Sequence, residues 1–246
     1  MNHTVVISSD DKYKNSESTH DFTVKLDHRI DHALSVSIID VIIPNSMYAI
    51  NSSNNLIYFA EGGSTFTATI TPGNYTRTEL ETEIDTQMAA VGAHTYSSSI
   101  SVITGKCTIS DSTGNFTLEF ASNTTNSMAK ILGFTETDTS SASSHVGTNV
   151  VCLMGLDQYL YVEVDANSDI SISTVGNIQG KVMCAVPIVE NRYDYIHYQP
   201  TPPIVYKYTT PTNIHEIKVR ILNRQLQTVD INGGRLSLVL NFVLLR

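Results

Sequence analysis

The chain of 246 residues has no tryptophan, three cysteines and few charges. Asp, Glu, Lys and Arg make up 16% of it, against roughly 25% in ordinary soluble domains. Each shortage excludes something. Without Trp, the flat walls on which sugar rings usually stack are missing. Cys107, Cys152 and Cys184 are odd in number, far apart and form no CxxC pair. A disulfide framework or a cysteine zinc site is therefore not expected, and reduced, partly buried thiols point to assembly in a cytosol-like compartment. Basic residues are scarce as well: 15 Lys and Arg face 24 Asp and Glu, for a net charge of −9 and a pI near 5.2. No Lys/Arg run exists that would grip phosphates or an anionic membrane, so nucleic acid is not an expected partner.

Further absences concern targeting and chemistry. The start, MNHTVVISSDDKYKNSES, has neither the basic nor the apolar region of a signal peptide. No apolar run approaches the ~20 residues of a membrane-spanning helix. Five Asn-x-Ser/Thr matches (Asn2, Asn51, Asn74, Asn115, Asn123) then read as chance in a Ser/Thr-rich chain. No GxSxG elbow offers a nucleophile, and no GxGxxG or GxxxxGK[ST] loop offers a phosphate cradle.

What is present is strand after strand. DFTVKL alternates Phe22, Val24 and Leu26 with polar residues, the pattern of a half-buried strand. In LSVSIIDVIIPNSMY the pairs Ile38-Ile39 and Ile42-Ile43 require either two buried faces or a bulge, and Pro44 ends the strand. LIYFAEG, STFTATIT, SISVITGKCTIS and NFTLEFA follow, the last two reading as a meander of three short strands. NVVCLMG, DQYLYVEVDA and KVMCAVPIVEN are three more candidates. HYQPTPPIVYKYTTPTN carries four of the seven prolines and reads as an extended connection poor in ladder bonds. The chain closes on HEIKVRILN and RLSLVLNFVLLR around Asn232-Gly233-Gly234, the pattern of a hairpin whose last strand is central.

Two interruptions are helical. Thr76-Arg77-Thr78-Glu79 fits a capping box, and Leu80, Ile84, Met88 and Val91 form one apolar stripe. Glu81, Glu83 and Asp85 are expected to face out, and Gly92 to end the helix over about 76–91. NSMAKILGF predicts a short helical turn at about 127–133, capped by Asn126 or Ser127 and stopped by Gly133. TETDTSSASSHVGTN reads as a surface loop. Roughly ten short strands and two helical pieces argue an all-β sandwich or jelly roll, with an N-terminal arm over 1–20 and one domain over 21–246.

Candidate chemistry is thin. Asp27-His28-Arg29-Ile30-Asp31-His32 spaces two histidines four apart, as helical metal sites do. It joins two strand patterns and lacks the Glu of HExxH, so an exposed turn is expected. SSDDKYKNSE lacks the glycine and terminal Glu of a calcium loop. Glu163 and Asp165 alternate out of a strand as a glycosidase pair can, with solvated strand faces as the competing reading. The other histidines (His3, His20, His94, His145, His197, His215) are scattered, mostly in polar loops. No catalytic, cofactor-binding or metal residue is nominated. Tyr193, Tyr195, Tyr198, Tyr206 and Tyr208 cluster around the proline-rich connection and are the candidate interface; the competing reading is a loop packed on its own sandwich.

The order of elements adds a resemblance. SIIDVIIPNSMYAINSSNNLIYF, then a strand, then PGNYTRTELETEI, then NSMAKILGF resembles the single jelly-roll capsid proteins of large double-stranded DNA viruses and virophages. Within that group it is most similar to the penton proteins of icosahedral five-fold vertices. The likeness spans residues 20–246 and is strongest over 34–134. It implies a single jelly roll of about eight core strands, and a homopentamer contacting trimers of a double jelly-roll major capsid protein and minor proteins beneath the vertex. It also implies a place in the virion after assembly in the host cytoplasm, with no cofactor, no reaction and no membrane insertion. The alternatives are a carbohydrate-binding or receptor-attachment jelly roll, such as a fibre head, and a minor capsid or cement protein.

Overall fold

The computed structural model describes residues 1–14, 17–166, 172–174, 178–180 and 182–245. Asn15 and Ser16 of the expected arm, Lys181 of KVMCAVPIVEN and the terminal Arg246 lie outside the described residues. In chain order the strands are β1 (Asn2–Ser8), β2 (Asp21–Pro44), β3 (Leu56–Glu61), β4 (Ser64–Thr69), β5 (Tyr96–Ile100), β6 (Cys107–Asp111), β7 (Phe116–Leu118) and β8 (Ser144–Val146). They continue as β9 (Tyr159–Asp165), β10 (Ile172–Thr174), β11 (Ile178–Gly180), β12 (Val182–Pro187), β13 (Tyr195–Tyr198), β14 (Ile204–Leu222) and β15 (Ser237–Leu244). Two α-helices, α1 (Arg77–Val91) and α2 (Ala129–Leu132), lie between β4 and β5 and between β7 and β8. The fold is all-β and jelly-roll-like, with antiparallel sheets, as its alternating patterns require. The chain divides into two compact units, 1–47 with 157–246 and 48–156.

The first unit is built on one seven-stranded sheet in the order β1-β15-β2-β14-β9-β12, with β13 also on β2. A separate ribbon pairs β10 with β11. The expected arm thus contributes a strand: β1 pairs with β15 from Asn2↔Val243 to Ser8↔Ser237. β2 runs unbroken through DHRIDH, where a turn was expected. The break is absorbed as bulges. His32 takes φ 54° and its N–H donates to Asn213 Oδ1 at 3.0 Å, and the register with β14 shifts in three places. A further shift against β15 leaves Ile39 unpaired between Asp40 and Ile38. That bulge lets Ile38, Val41 and Ile43 all be buried.

Two other expectations change in this unit. The proline-rich connection is largely strand, because Pro211 falls in the register gap between Lys207 and Thr212, where no ladder N–H is needed. The closing hairpin is not one either. β14 and β15 pair with opposite sides of β2, although Asn232 (φ 49°) and Gly233 (φ 73°) still turn the chain. The last strand is flanked by β1 and β2, so Leu238, Leu240 and Phe242 are fully enclosed in a core drawn mostly from strands. Turn residues act locally and cannot say which strand becomes the neighbour.

The second unit holds two three-stranded sheets, β4-β3-β7 and β5-β6-β8. The expected meander is therefore split: β7 pairs with β3, and β8, out of the expected loop, pairs with β6. NVVCLMG forms no strand; its amides donate to the Gly105 and Ile131 carbonyls outside any ladder. Helix α1 starts as its capping box predicts. The Thr76 side chain accepts from the Glu79 N–H, and Glu79 accepts from the Thr76 N–H at 2.8 Å. Leu80, Ile84 and Met88 are fully buried, whereas Val91 is exposed. Each buried side chain contributes about 1.5–3 kcal/mol, which a helix of this length needs to persist.

The acidic face of α1 is not simply solvated. Glu81 Oε1 accepts from the Ile100 N–H, Asp85 Oδ1 from the Ser98 N–H, and Glu83 Oε1 from the Thr71 N–H and hydroxyl. Among the described residues β5 pairs with β6 alone, so its outer amides would be bare, and the helix carboxylates satisfy them. The N-cap of α2 is Met128, whose side chain makes no cap bond; Ser127 Oγ accepts from the Ala129 N–H instead, and Asn126 sits at φ 52°. Gly133 ends α2 at φ 77°, and a Cβ there would lie 2.3 Å from the Asn149 carbonyl oxygen. Only glycine fits.

Candidate functional site

The five candidate tyrosines do not share one environment. Tyr198, Tyr206 and Tyr208 are half-buried and pack against the core of the first unit. The Tyr206 hydroxyl donates to the Met183 carbonyl and the Tyr208 hydroxyl to the Ala166 carbonyl at 3.2 Å. Burial pushes the Tyr206 phenol up to about 12 and raises Tyr208 as well. Tyr193 and Tyr195, by contrast, are 71% and 63% exposed.

The exposed pair is held firmly. Asn45, buried at the end of β2, donates through Nδ2 to the Glu190 and Asn191 carbonyls at 2.9 and 3.1 Å. Its own N–H donates to the Asp194 carbonyl, and its carbonyl accepts from the Tyr193 N–H, both at 2.8 Å. The loop fixes Tyr193 at φ 70°, an uncommon conformation for a bulky residue that persists only where the surroundings over-determine it. Tyr195 pairs with Pro44 in register. On the next strand Val205 is also exposed. A rigid, preorganised Tyr-Tyr surface is what a contact face offers, since little side-chain and loop freedom is lost on binding; Val205, opposite Ser37, stands further along β2 than Tyr195, opposite Pro44.

The two strand carboxylates have cationic neighbours on β14. Glu163 is buried and its Oε2 ion-pairs with Arg220 Nη2, while Asp165 stands opposite Lys218 in the β9–β14 register. His28 and His32 are exposed on a strand, not gathered by a helix.

Sequence reasoning missed a polar cluster in the second unit. Glu61 ends β3, His94 lies in the link between α1 and β5, and Asp111 ends β6. His94 Nδ1 is 3.0 Å from Glu61 Oε2 and still closer to Asp111 Oδ2. The Tyr96 hydroxyl donates to the same Glu61 oxygen. Burial first, then the Glu61 hydrogen bond and charge and the Asp111 charge, drives the Tyr96 phenol far up. Both carboxylates are buried. No spacing in the chain announces this set, because three different elements supply it; the nearest signal is the charged residue closing each otherwise β-forming run. His145, also read as a loop residue, is buried, with Nε2 2.9 Å from the Phe116 carbonyl oxygen. Cys107 and Cys184 are buried, and burial pushes both thiols up to about 12, with the Glu81 and Asp85 charges adding at Cys107. Neither thiol is a ready nucleophile.

Comparison with known proteins gives three results. The model of a family of unknown function, DUF5901, matches residues 3–188. No curated protein sequence matches the chain. Among solved structures, the crystal structure of mavirus penton protein is similar in fold with a TM-score of 0.52 and 8% identity, over 98% of this chain and 99% of that one.

Proposed function

This chain belongs to the DUF5901 family, and from that premise and its fold we propose that it is a structural capsid protein, a penton that closes an icosahedral five-fold vertex. The observation that carries the reading is the likeness of fold from end to end with a penton protein. The composition supports it. Few charges and no basic run suit a surface buried against protein neighbours rather than nucleic acid.

In this reading five copies form a closed ring with cyclic symmetry. The ring contacts trimers of a double jelly-roll major capsid protein and minor capsid proteins beneath the vertex. It requires no reaction and no cofactor. Tyr193 and Tyr195 are the contact residues it favours; Tyr198 holds the strand that carries Tyr195 against the core.

The test is the assembly state. Electron microscopy and mass measurement of the purified chain are expected to give a particle of five 27.0 kDa chains with five-fold symmetry. A chain that stays monomeric at high concentration and is absent from purified virions would overturn the reading. The fixed Tyr193 loop also favours a second reading, an attachment surface for a glycan or receptor. Binding on a glycan array that Tyr193→Ala and Tyr195→Ala abolish would select it.

A further inference from the structure

We propose that Glu61, His94 and Asp111 form a divalent-metal site of the zinc class, holding the ion through one imidazole nitrogen and two carboxylate oxygens. The inference does not depend on the capsid reading.

The geometry comes first. His94 Nδ1, one oxygen of Glu61 and one of Asp111 lie within 4.8 Å of one another. Zinc binds such atoms at about 2.0–2.2 Å, so two ligands at a tetrahedral angle stand about 3.4 Å apart. His94 Nδ1 is 3.0 Å from Glu61 Oε2 and 2.5 Å from Asp111 Oδ2, so an ion between them would open these contacts by about 0.4 and about 0.9 Å. A hydrogen bond explains the same arrangement less well. Nδ1 carries one hydrogen at most, yet carboxylate oxygens from Glu61 and Asp111 both converge on it.

The outer shell is already built. Glu61 Oε1 accepts from the Ala93 N–H, and Asp111 Oδ1 accepts from the Thr113 and Gly114 N–H groups at 2.7 and 3.2 Å. Each carboxylate therefore has one oxygen anchored by backbone and turns the other toward His94. Fixing of carboxylate ligands by outer hydrogen bonds is a feature of metal sites. Gly114 completes the cradle: a Cβ at that position would lie 2.9 Å from His94 Cε1. The ring can occupy its place only because residue 114 has no side chain.

Charge points the same way. The two carboxylates are each only 5% exposed, and a neutral His94 leaves both charges unbalanced. Even a protonated one balances a single charge. A divalent cation balances both. An imidazole nitrogen and only three protein ligands suit zinc better than calcium, which takes six to eight oxygens, or magnesium, which keeps an octahedral water shell. The side chain of His94 is 22% exposed, which leaves water access to a fourth position. Such an ion would tie the ends of β3 and β6 to the link that follows α1.

The full chain, stripped with a chelator and dialysed against zinc, tests this. Elemental analysis is expected to find one zinc per chain, with a raised Tm. In His94→Gln and Asp111→Asn, folded by circular dichroism, zinc affinity is expected to fall by more than about 100-fold. X-ray absorption of the zinc-loaded native chain is expected to show a shell of nitrogen and oxygen only, and this measurement decides the matter if the variants fail to fold. Zinc no higher than in a buffer blank would overturn the proposal. So would zinc retained by both variants, sulfur in the shell, or binding of magnesium or calcium in preference to zinc.

Discussion

The two compact units solve the same burial problem with different means. The first closes its core mostly with strands: β2 and β14 are 24 and 19 residues long, bulges bend them, and one hydrogen-bonded sheet supplies the buried apolar cluster except for Ala166, Ile231 and Leu236. The second uses two small sheets and two helices, and side chains finish what its ladders leave open. Carboxylates of α1 satisfy the bare amides of β5, and a polar cluster joins the ends of β3 and β6. Long strands carry most of their own backbone partners; short ones depend on side-chain acceptors placed by other elements.

Phe242→Ala should break the strand-built core most severely. Phe242 is fully buried in a strand paired on both sides, and the loss is expected to reach about 3–5 kcal/mol in urea unfolding. Hydrogen exchange should rise first in β1, β2 and β15. Ile84→Ala removes a fully buried side chain of the helix that covers β5. It is expected to cost about 2–4 kcal/mol, with the rise in exchange centred on β4 and β5.

Asp85→Ala sharpens the comparison further, since it takes an acceptor from the Ser98 amide without touching the core. Burial holds the Asp85 carboxyl above its ordinary range against the Ser98 hydrogen bonds. The expected cost is about 1 kcal/mol, with faster exchange at Ser98 itself; unchanged exchange there would sink the edge-shielding role. The smallest effect is at the helix start, where Thr76→Ala is expected to cost about 1 kcal/mol. The Thr76 N–H, then its hydroxyl, hold the Glu79 carboxyl below the usual range. Its stabilising contribution is therefore complete above the ordinary Glu pKa and lost as pH falls through the lowered value. Thermal melts of Thr76→Ala should be less acid-sensitive between those limits than those of the parent chain.

Legibility in the sequence followed the range of the interaction. The capping box at Thr76, the stripe of Leu80, Ile84 and Met88, and the stop at Gly133 are settled within a few residues, and the structure has them where the pattern predicts. The bulge at Ile39 was legible from two consecutive isoleucines. The candidate site was legible only as composition. Five tyrosines near one connection gave no sign that three turn inward and two outward, because register decides that and the prolines hid the strand. The Glu61–His94–Asp111 cluster left no spacing to find.

The sequence alone therefore determined the class of the protein: all-β by period-two alternation, interrupted by two helical pieces whose boundaries are fixed by caps and glycine. It also determined an acidic surface with no run of Lys or Arg. Tertiary structure decided the pairings: β15 beside β1 and β2 rather than β14, β7 with β3 rather than β6, and β8 recruited from a polar loop. Alternation says that a strand needs a neighbour and an apolar face, and many neighbours satisfy that demand equally. The choice among them is made by which set of faces encloses a common core, a property of the folded chain that no local window contains.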